Sequence, residues 1–509
     1  MMINPYVFGA PVELLPTQGA FTLAQTIDLF EVSPAALVDF TDDFSSNQWT
    51  FTQQAGAPTF AVTGGQGVLT IPAGAFGFLR TNQGGALTIP QGWMEVQVTQ
   101  AGTATSGSDD RISIGYTLDA NTRIMGEWNK RASTLQIAVR NNGGSNSTLG
   151  VATSIALTAP FKLGVSLCGT IFTIWYNQSG TWTVGGSRNL KGLRDLNTPA
   201  NYANLLPSMM FVSDQASSWK IDNFRAGRFG SLGLKDPMIV YRRDGTPLLD
   251  GSGRLIVTTT ALHPNVASAP ATRGLYTAVY AIDLDTYAWS QIGVVFMLRA
   301  GEVWNDINLS GVEKADGTFK FFTATWGNPG GGAIGIQTAD GASTDLSGSH
   351  VLSMTALTVP TVSGAVGWYD PSVSWDGSRY LMAYAATNSL TFSPEKIYPL
   401  LASSTDLVTW TAIGNDSAQS SYEGPFMYLA SGSWFSIVSR RGSPVVYDVT
   451  MANIGNVGAS LVSDSDTIPH AVIVPHNSKR ILFSFSVSRT ANGYTGRRDL
   501  LVWESDRYA

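Results

Sequence analysis

Three acidic residues in the second half of the chain each stand beside a rigid turn, just ahead of a strand-like run. Asp236 lies in Lys235-Asp236-Pro237-Met238-Ile239-Val240, Asp370 in Tyr369-Asp370-Pro371-Ser372-Val373, and Glu423 in Tyr422-Glu423-Gly424-Pro425-Phe426-Met427. Proline fixes φ and glycine removes Cβ crowding, so each carboxylate is expected at a rigid strand start. Hydrolysis of a glycosidic bond asks for such groups: a carboxylic acid to protonate the leaving oxygen and a carboxylate to activate water. A third carboxylate nearby keeps the acid protonated by like-charge repulsion. Separations of 134 and 53 residues put the three acids on different repeats rather than in one local turn. A single Asp-Pro is commonly no more than a turn; the ordered set carries the signal.

The elements that must position these acids form a repeat. From about residue 231 a Gly-containing turn followed by an aromatic or aliphatic strand recurs five times. The instances begin at Asp250-Gly251, Asp316-Gly317, Asp376-Gly377, Ser431-Gly432 and, without the glycine, His476-Asn477. Steps of 66, 60, 55 and 45 residues suit four-stranded propeller blades with loops of unequal length. Asp285-Thr286-Tyr287-Ala288-Trp289 and Asp406-Leu407-Val408-Thr409-Trp410 add a second recurring marker, an outer strand with a Trp over its turn. Five repeats predict five blades over residues 231–509, whose inner strands converge on one axis.

Residues 38–230 read differently. Short alternating strands such as Gly67-Val68-Leu69-Thr70-Ile71 and Met94-Glu95-Val96-Gln97-Val98, separated by Gly and Asn turns, predict an antiparallel sandwich. Residues 1–37 read as an N-terminal attachment arm, with a short helix expected near Ala24 to Phe30. The fold class is therefore all-β: a jelly-roll sandwich followed by a five-bladed propeller.

The trio Asp-Pro, Asp-Pro, Glu-Gly-Pro closely resembles the catalytic set of glycoside hydrolase family 43, five-bladed propeller glycosidases. Asp42-Asp43-Phe44-Ser45 with Trp49, the hairpin Phe172 to Trp182, and Trp219-Lys220-Ile221-Asp222-Asn223-Phe224 resemble strands of concanavalin-like modules attached to carbohydrate-active enzymes. The first resemblance implies that Asp236 is the general base, Asp370 the carboxylate that tunes and orients the acid, and Glu423 the general acid, acting with inversion. It also implies a histidine near the axis that contacts substrate or ligates calcium, and His470 in Ile468-Pro469-His470-Ala471-Val472 matches it. Around the trio, Trp304 and Asp306 in the second blade, Trp368 and Tyr369 ahead of Asp370, and Arg440 are candidate sugar contacts. The sandwich precedes the propeller here, whereas in many relatives an accessory sandwich follows it, which puts the substrate more in doubt than the fold.

Composition narrows the partners. A net charge of −6 without a Lys/Arg run excludes a nucleic-acid surface, and no apolar run approaches the length of a membrane span. The single cysteine, Cys168, sits in an apolar strand pattern and has no disulfide partner in its own chain. No cofactor is required by the chemistry, no Asp-rich calcium loop or zinc spacing occurs, and a calcium ion at His470 is the one metal expectation. His263, His350 and His476 fall in loop-like sequence. Met1-Met2-Ile3-Asn4-Pro5-Tyr6 lacks a secretory signal, so synthesis in a cytoplasm is expected.

Charged residues make up only 13% of the chain, which suits a stable β protein working outside cells or on a virion. Two function classes stay open. One is a glycosidase on a furanosyl or xylosyl polysaccharide, working on a virion tail or outside the cell, with other tail proteins as partners of the N-terminal arm. The other is a glycan-binding receptor protein without turnover; an inert fibre protein is a third.

Overall fold

The computed structural model describes residues 14–507 except 28–36, 46–48, 82–84, 120, 142–146, 149–152, 231–232, 265–273, 327–333, 342–345, 390–395, 419–421, 441, 462–469, 487–488, 492–493 and 498–499. The described chain is almost entirely strand, relieved by a single helical turn at Pro199–Tyr202. None of its helices is long and apolar enough to cross a membrane.

Two antiparallel sheets of eight strands each make the sandwich, running from Leu37–Asp42 to Ser217–Arg228. Period-two alternation sets its inner faces. In Asp110–Asp119, Ile112, Ile114 and Tyr116 turn inward, whereas Arg111 stays partly exposed and pairs with Glu127. Trp93, Trp128, Trp175 and Trp219 are almost wholly buried between the sheets. Trp128 meets Phe161 and Trp219 edge-on, at centroid distances of 4.8 and 6.0 Å, an arrangement favoured by the quadrupole of aromatic rings. Cys168 ends the strand Phe161–Cys168 as a buried free thiol.

Five blades follow. The first runs outward through Leu234–Tyr241, Leu255–Leu262, Leu275–Ile282 and Trp289–Arg299, and the second through Ile307–Glu313, Phe319–Ala324, Ile336–Gly341 and Thr355–Ala356. Their inner strands touch in a short parallel pairing, Val240 with Gly311 and Tyr241 with Val312, which joins them into one sheet. The third contains Gly367–Trp375, Tyr380–Thr387, Ile397–Ser404 and Thr411–Asn415; the fourth, Glu423–Ala430, Ser433–Ser439, Val445–Asp448 and Asn453–Asn456. The fifth holds Val472–His476, Lys479–Phe485 and Leu500–Asp506. Inner strands of successive blades contact one another, and the fifth returns to the first, closing the ring.

The fifth blade takes its outer strand from the start of the chain. Thr22–Ile27 pairs antiparallel with Leu500–Asp506. The expected helix near Ala24 is therefore a strand through Ile27, and residues 14–27 belong to the propeller rather than to a free arm; residues 1–13 lie outside the described chain. Arg480, 0% exposed, fixes this closure. Its guanidinium donates to Leu15 O at 2.8 Å, to Gln18 O, and to Ser505 Oγ, and it faces the Phe21 ring. The sandwich is thus spliced between the outermost strand of the last blade and the innermost strand of the first.

Buried polar groups bind sandwich to propeller. Trp175 Nε1 donates to Ser166 Oγ at 2.7 Å, and Ser166 Oγ lies 2.8 Å from His263 Nε2. His263 Nδ1 lies 3.0 Å from Pro264 O. Nδ1 must therefore carry the proton, leaving Nε2 to accept from the serine. Burial pushes His263 down to about 3, and the ring is neutral. His263 lies in the loop after the strand Leu255–Leu262, as expected, and serves the interface; contrary to expectation, His350 lies inside the strand Gly348–Ser353 and His476 ends Val472–His476.

Candidate active site

Each of the first four inner strands carries a β-bulge at the same station. The pairing slips between Lys235 and Met238, Ile307 and Ser310, Tyr369 and Ser372, and Glu423 and Phe426. The residue at the slip is left-handed in every blade: Asp236 at φ 52°, Asn308 at 63°, Asp370 at 54° and Gly424 at 56°. A bulge re-aims a side chain and leaves one residue outside the ladder. Proline follows in three of the four blades, where its missing N–H costs no ladder bond. Hydroxyls then bridge adjacent blades just below the bulges. Thr258 Oγ1 donates to Leu309 O and Ser310 Oγ to Pro371 O, while Ser372 Oγ and Ser439 Oγ accept from Met427 and Ala471 N–H.

This frame brings Asp236, Asp370, Glu423 and His470 together. His470 Nδ1 lies 3.4 Å from Asp236 Oδ1, and its Nε2 lies 3.5 Å from Asp370 Oδ2 and 3.9 Å from Glu423 Oε1. The imidazole packs flat over Gly424, where any Cβ would fall 2.4 Å from a ring carbon. Gly424 is thus required for the space it leaves, since Asp236, Asn308 and Asp370 adopt the same left-handed backbone with side chains. Exposure is graded: Asp236, Asp370 and His470 are buried, and the Glu423 side chain keeps 22% of its surface.

The electrostatics are graded too. Burial opposes ionisation of Asp236, but Lys235, with Nζ at 3.2 Å, and His470 outweigh it and hold the carboxyl below the usual range. Burial pushes Asp370 up to about 7; His470 works against this, while Glu423 and Asp236 reinforce it. Burial disfavours the His470 cation, yet the surrounding acids override it and raise the ring to about 9. At neutral pH the centre pairs an imidazolium with the ionised Asp236, while Asp370 sits close to its protonation midpoint.

Asp370, Glu423 and His470 bring donor atoms within 4.8 Å of one another, where the calcium ion expected at His470 would sit. Calcium takes about six to eight oxygen ligands, and an imidazolium offers it no lone pair. A protonated histidine fits as the central cation, and a calcium ion here would have to displace that proton and draw on further oxygen ligands.

The other candidates go elsewhere. Asp306 is buried in an ion pair with Arg299, at 2.8 Å, and Trp304 lies under that guanidinium and near Lys191 of the sandwich. Trp304 serves the contact between sandwich and propeller, and Asp306 an ion pair within the propeller. Tyr369 is 0% exposed and its ring packs edge-on against Trp326, away from the acids. Trp368 is half-buried on the third-blade core and donates to Thr361 Oγ1 at 3.2 Å. Arg440 bonds to Ser443 O and Asn456 Oδ1 rather than reaching Asp370. Three site residues were not anticipated: Lys235, Thr260 and Asn308, whose Nδ2 donates to Asp370 Oδ1. Lys235 adjoins Asp236 in sequence, and Asn308 stands eight residues before an Asp-Gly turn, as Asp236 does before Asp244-Gly245.

No protein-family model matches the chain, and no curated protein matches it. Solved structures similar to it include a Bacillus subtilis levansucrase, at TM-score 0.38 and 12% identity over 53% of this chain and 83% of that one. A mutant B. megaterium levansucrase gives TM-score 0.38 and 12% identity over 53% and 82%. The carbohydrate-binding module CBM66 from B. subtilis gives TM-score 0.26 and 14% identity over 36% and 97%. Likeness at this level transfers no activity.

Proposed function

We propose that the chain is a glycoside hydrolase whose acid–base centre is the axial cluster, with Asp236 as general base, Glu423 as general acid and Asp370 as the group that orients and tunes the acid. One observation carries this reading: carboxylates from three blades meet at one imidazole, with Asp236 held ionised and Asp370 driven towards its protonated form. Paired acids in unlike environments are the mark of acid–base work on glycosides. Asp236, kept ionised, suits a base. Glu423, the most exposed of the three, suits the group that must reach a leaving oxygen.

Asp236 and Glu423 face opposite nitrogens of one ring. Their nearest oxygens therefore lie under roughly 10 Å apart, which admits the roughly 6.5–9.5 Å of an inverting pair and also the roughly 5–5.5 Å of a retaining one. The family resemblance favours inversion, on a furanosyl or xylosyl-containing polysaccharide outside the cell or at a virion tail. Docking to other tail proteins through the N-terminus would fall to residues 1–13, since residues 14–27 are committed to the last blade. Proton NMR of the first sugar released from an arabinan or arabinoxylan tests the assignment: inverted anomer supports it, and retained anomer recasts Asp236 as a nucleophile.

A second reading, glycan binding without turnover, also has an observation in its favour. His470 fills the space between the acids and leaves Asp236 3% exposed. For catalysis the ring must yield to substrate; for a lectin it can stay.

A further inference from the structure

We propose that Asn308 is the positioning residue for Asp370, and that with Thr260 it joins Asp236 and Asp370 into one hydrogen-bonded unit across the propeller axis. The link itself stands on geometry; its catalytic consequence rests on the acid–base reading above.

Asn308 occupies in the second blade the left-handed bulge station that Asp236 and Asp370 occupy in the first and third. Its Nδ2 donates to Asp370 Oδ1, and the Gly424 N–H donates to Asp370 Oδ2 at 3.1 Å. Both carboxylate oxygens are thereby fixed by neighbouring blades. Thr260 Oγ1 donates to Asn308 Oδ1 at 3.0 Å, and the same hydroxyl faces Asp236. Thr260, Asn308, Asp236 and Asp370 are all buried, so water does not replace a lost partner cheaply. The charged groups around the unit are Lys235 on Asp236, His470 against both aspartates, and Glu423 beyond the ring.

One hydroxyl proton serves two acceptors, and this makes the unit directional. With Asp370 ionised, the amide donates to it and Thr260 gives its proton to Asn308. When Asp370 takes up a proton, its O–H needs an acceptor, and a half-turn of the amide presents Oδ1. The amide N–H then points to Thr260 Oγ1, and the threonine proton turns to Asp236. Protonation at Asp370 thus adds a donor to Asp236 and weakens it as a base. An aspartate at 308 would add a fourth carboxylate to the centre, and a glycine would leave Asp370 Oδ1 without its donor.

The test uses the full-length protein with 13C-carboxyl-labelled aspartate, the Asp236 and Asp370 signals being assigned with Asp236→Asn and Asp370→Asn. Asn308→Gly keeps the left-handed backbone while deleting the amide, and should raise the Asp370 titration midpoint by about one pH unit. Asn308→Asp keeps the shape and should raise it further. Thr260→Val should raise the Asp236 midpoint. An unchanged Asp370 midpoint in both Asn308 variants overturns the positioning role, and an unchanged Asp236 midpoint in Thr260→Val overturns the link to Asp236. If these midpoints move but the wild type hydrolyses no glycan, the unit stands and the catalytic reading fails. If the wild type is active and nothing moves, the reverse holds.

Discussion

His470 Nδ1 stands 3.4 Å from Asp236 Oδ1, joining the first and last blades of the propeller at its axis. That contact sets the charge balance of the centre, because the same ring also faces Asp370 and Glu423.

His470 binds its proton more tightly in the folded protein, where it is raised to about 9, than in the unfolded chain. Its contribution to stability is therefore complete below about pH 6.5 and lost as pH rises through about 9. Urea unfolding at a series of pH values should show wild type well above His470→Gln at pH 6, with the gap closing by about pH 10. A gap independent of pH would mean that the ring acts by packing alone.

His263 has the opposite sign. It is neutral when folded and depressed to about 3, so the unfolded chain gains a proton that the folded one refuses. Stability should fall as the pH drops below about 6.5, a loss that continues towards about 3. His263→Gln should flatten this acid limb, as measured by thermal unfolding at pH 7, 5 and 4.

Arg480→Met should loosen the closure of the last blade. Removing the guanidinium leaves Leu15 O, Gln18 O and Ser505 Oγ short of a donor inside the protein. A loss of about 3 kcal/mol is expected, with early proteolysis near residues 14–27. Unchanged stability would show that strand pairing alone holds Thr22–Ile27.

Much of the centre was legible because its residues carry local marks. Asp236, Asp370 and Glu423 adjoin Pro or Gly, and the residues that bulge a strand also punctuate a sequence. Asn308 takes the same left-handed station between Ile307 and Leu309, with neither mark, and was silent. Tyr369 misled because its ring is buried against Trp326, a contact that no local pattern encodes. Trp304 answers to a sandwich whose placement no local pattern encodes, and Asp306 to a buried ion pair with Arg299. The fifth blade was countable, but not its outer strand: Thr22 meets Glu504 across 482 residues, and pairing at that range leaves no trace in either segment.

The central claim is that the axial acids do proton chemistry on a glycan, and paired kinetics of Glu423→Gln and Asp236→Asn test it most directly. Glu423→Gln keeps shape but cannot act as a carboxylic acid, so turnover of a natural polysaccharide should fall by about 10²–10⁴-fold. The loss should be milder on an aryl glycoside, whose phenolate leaves with little help. Asp236→Asn should abolish turnover of both, while glycan binding survives in each variant. A wild type that binds glycans but cleaves none across a broad panel, with both variants binding equally well, would contradict the account and leave a lectin.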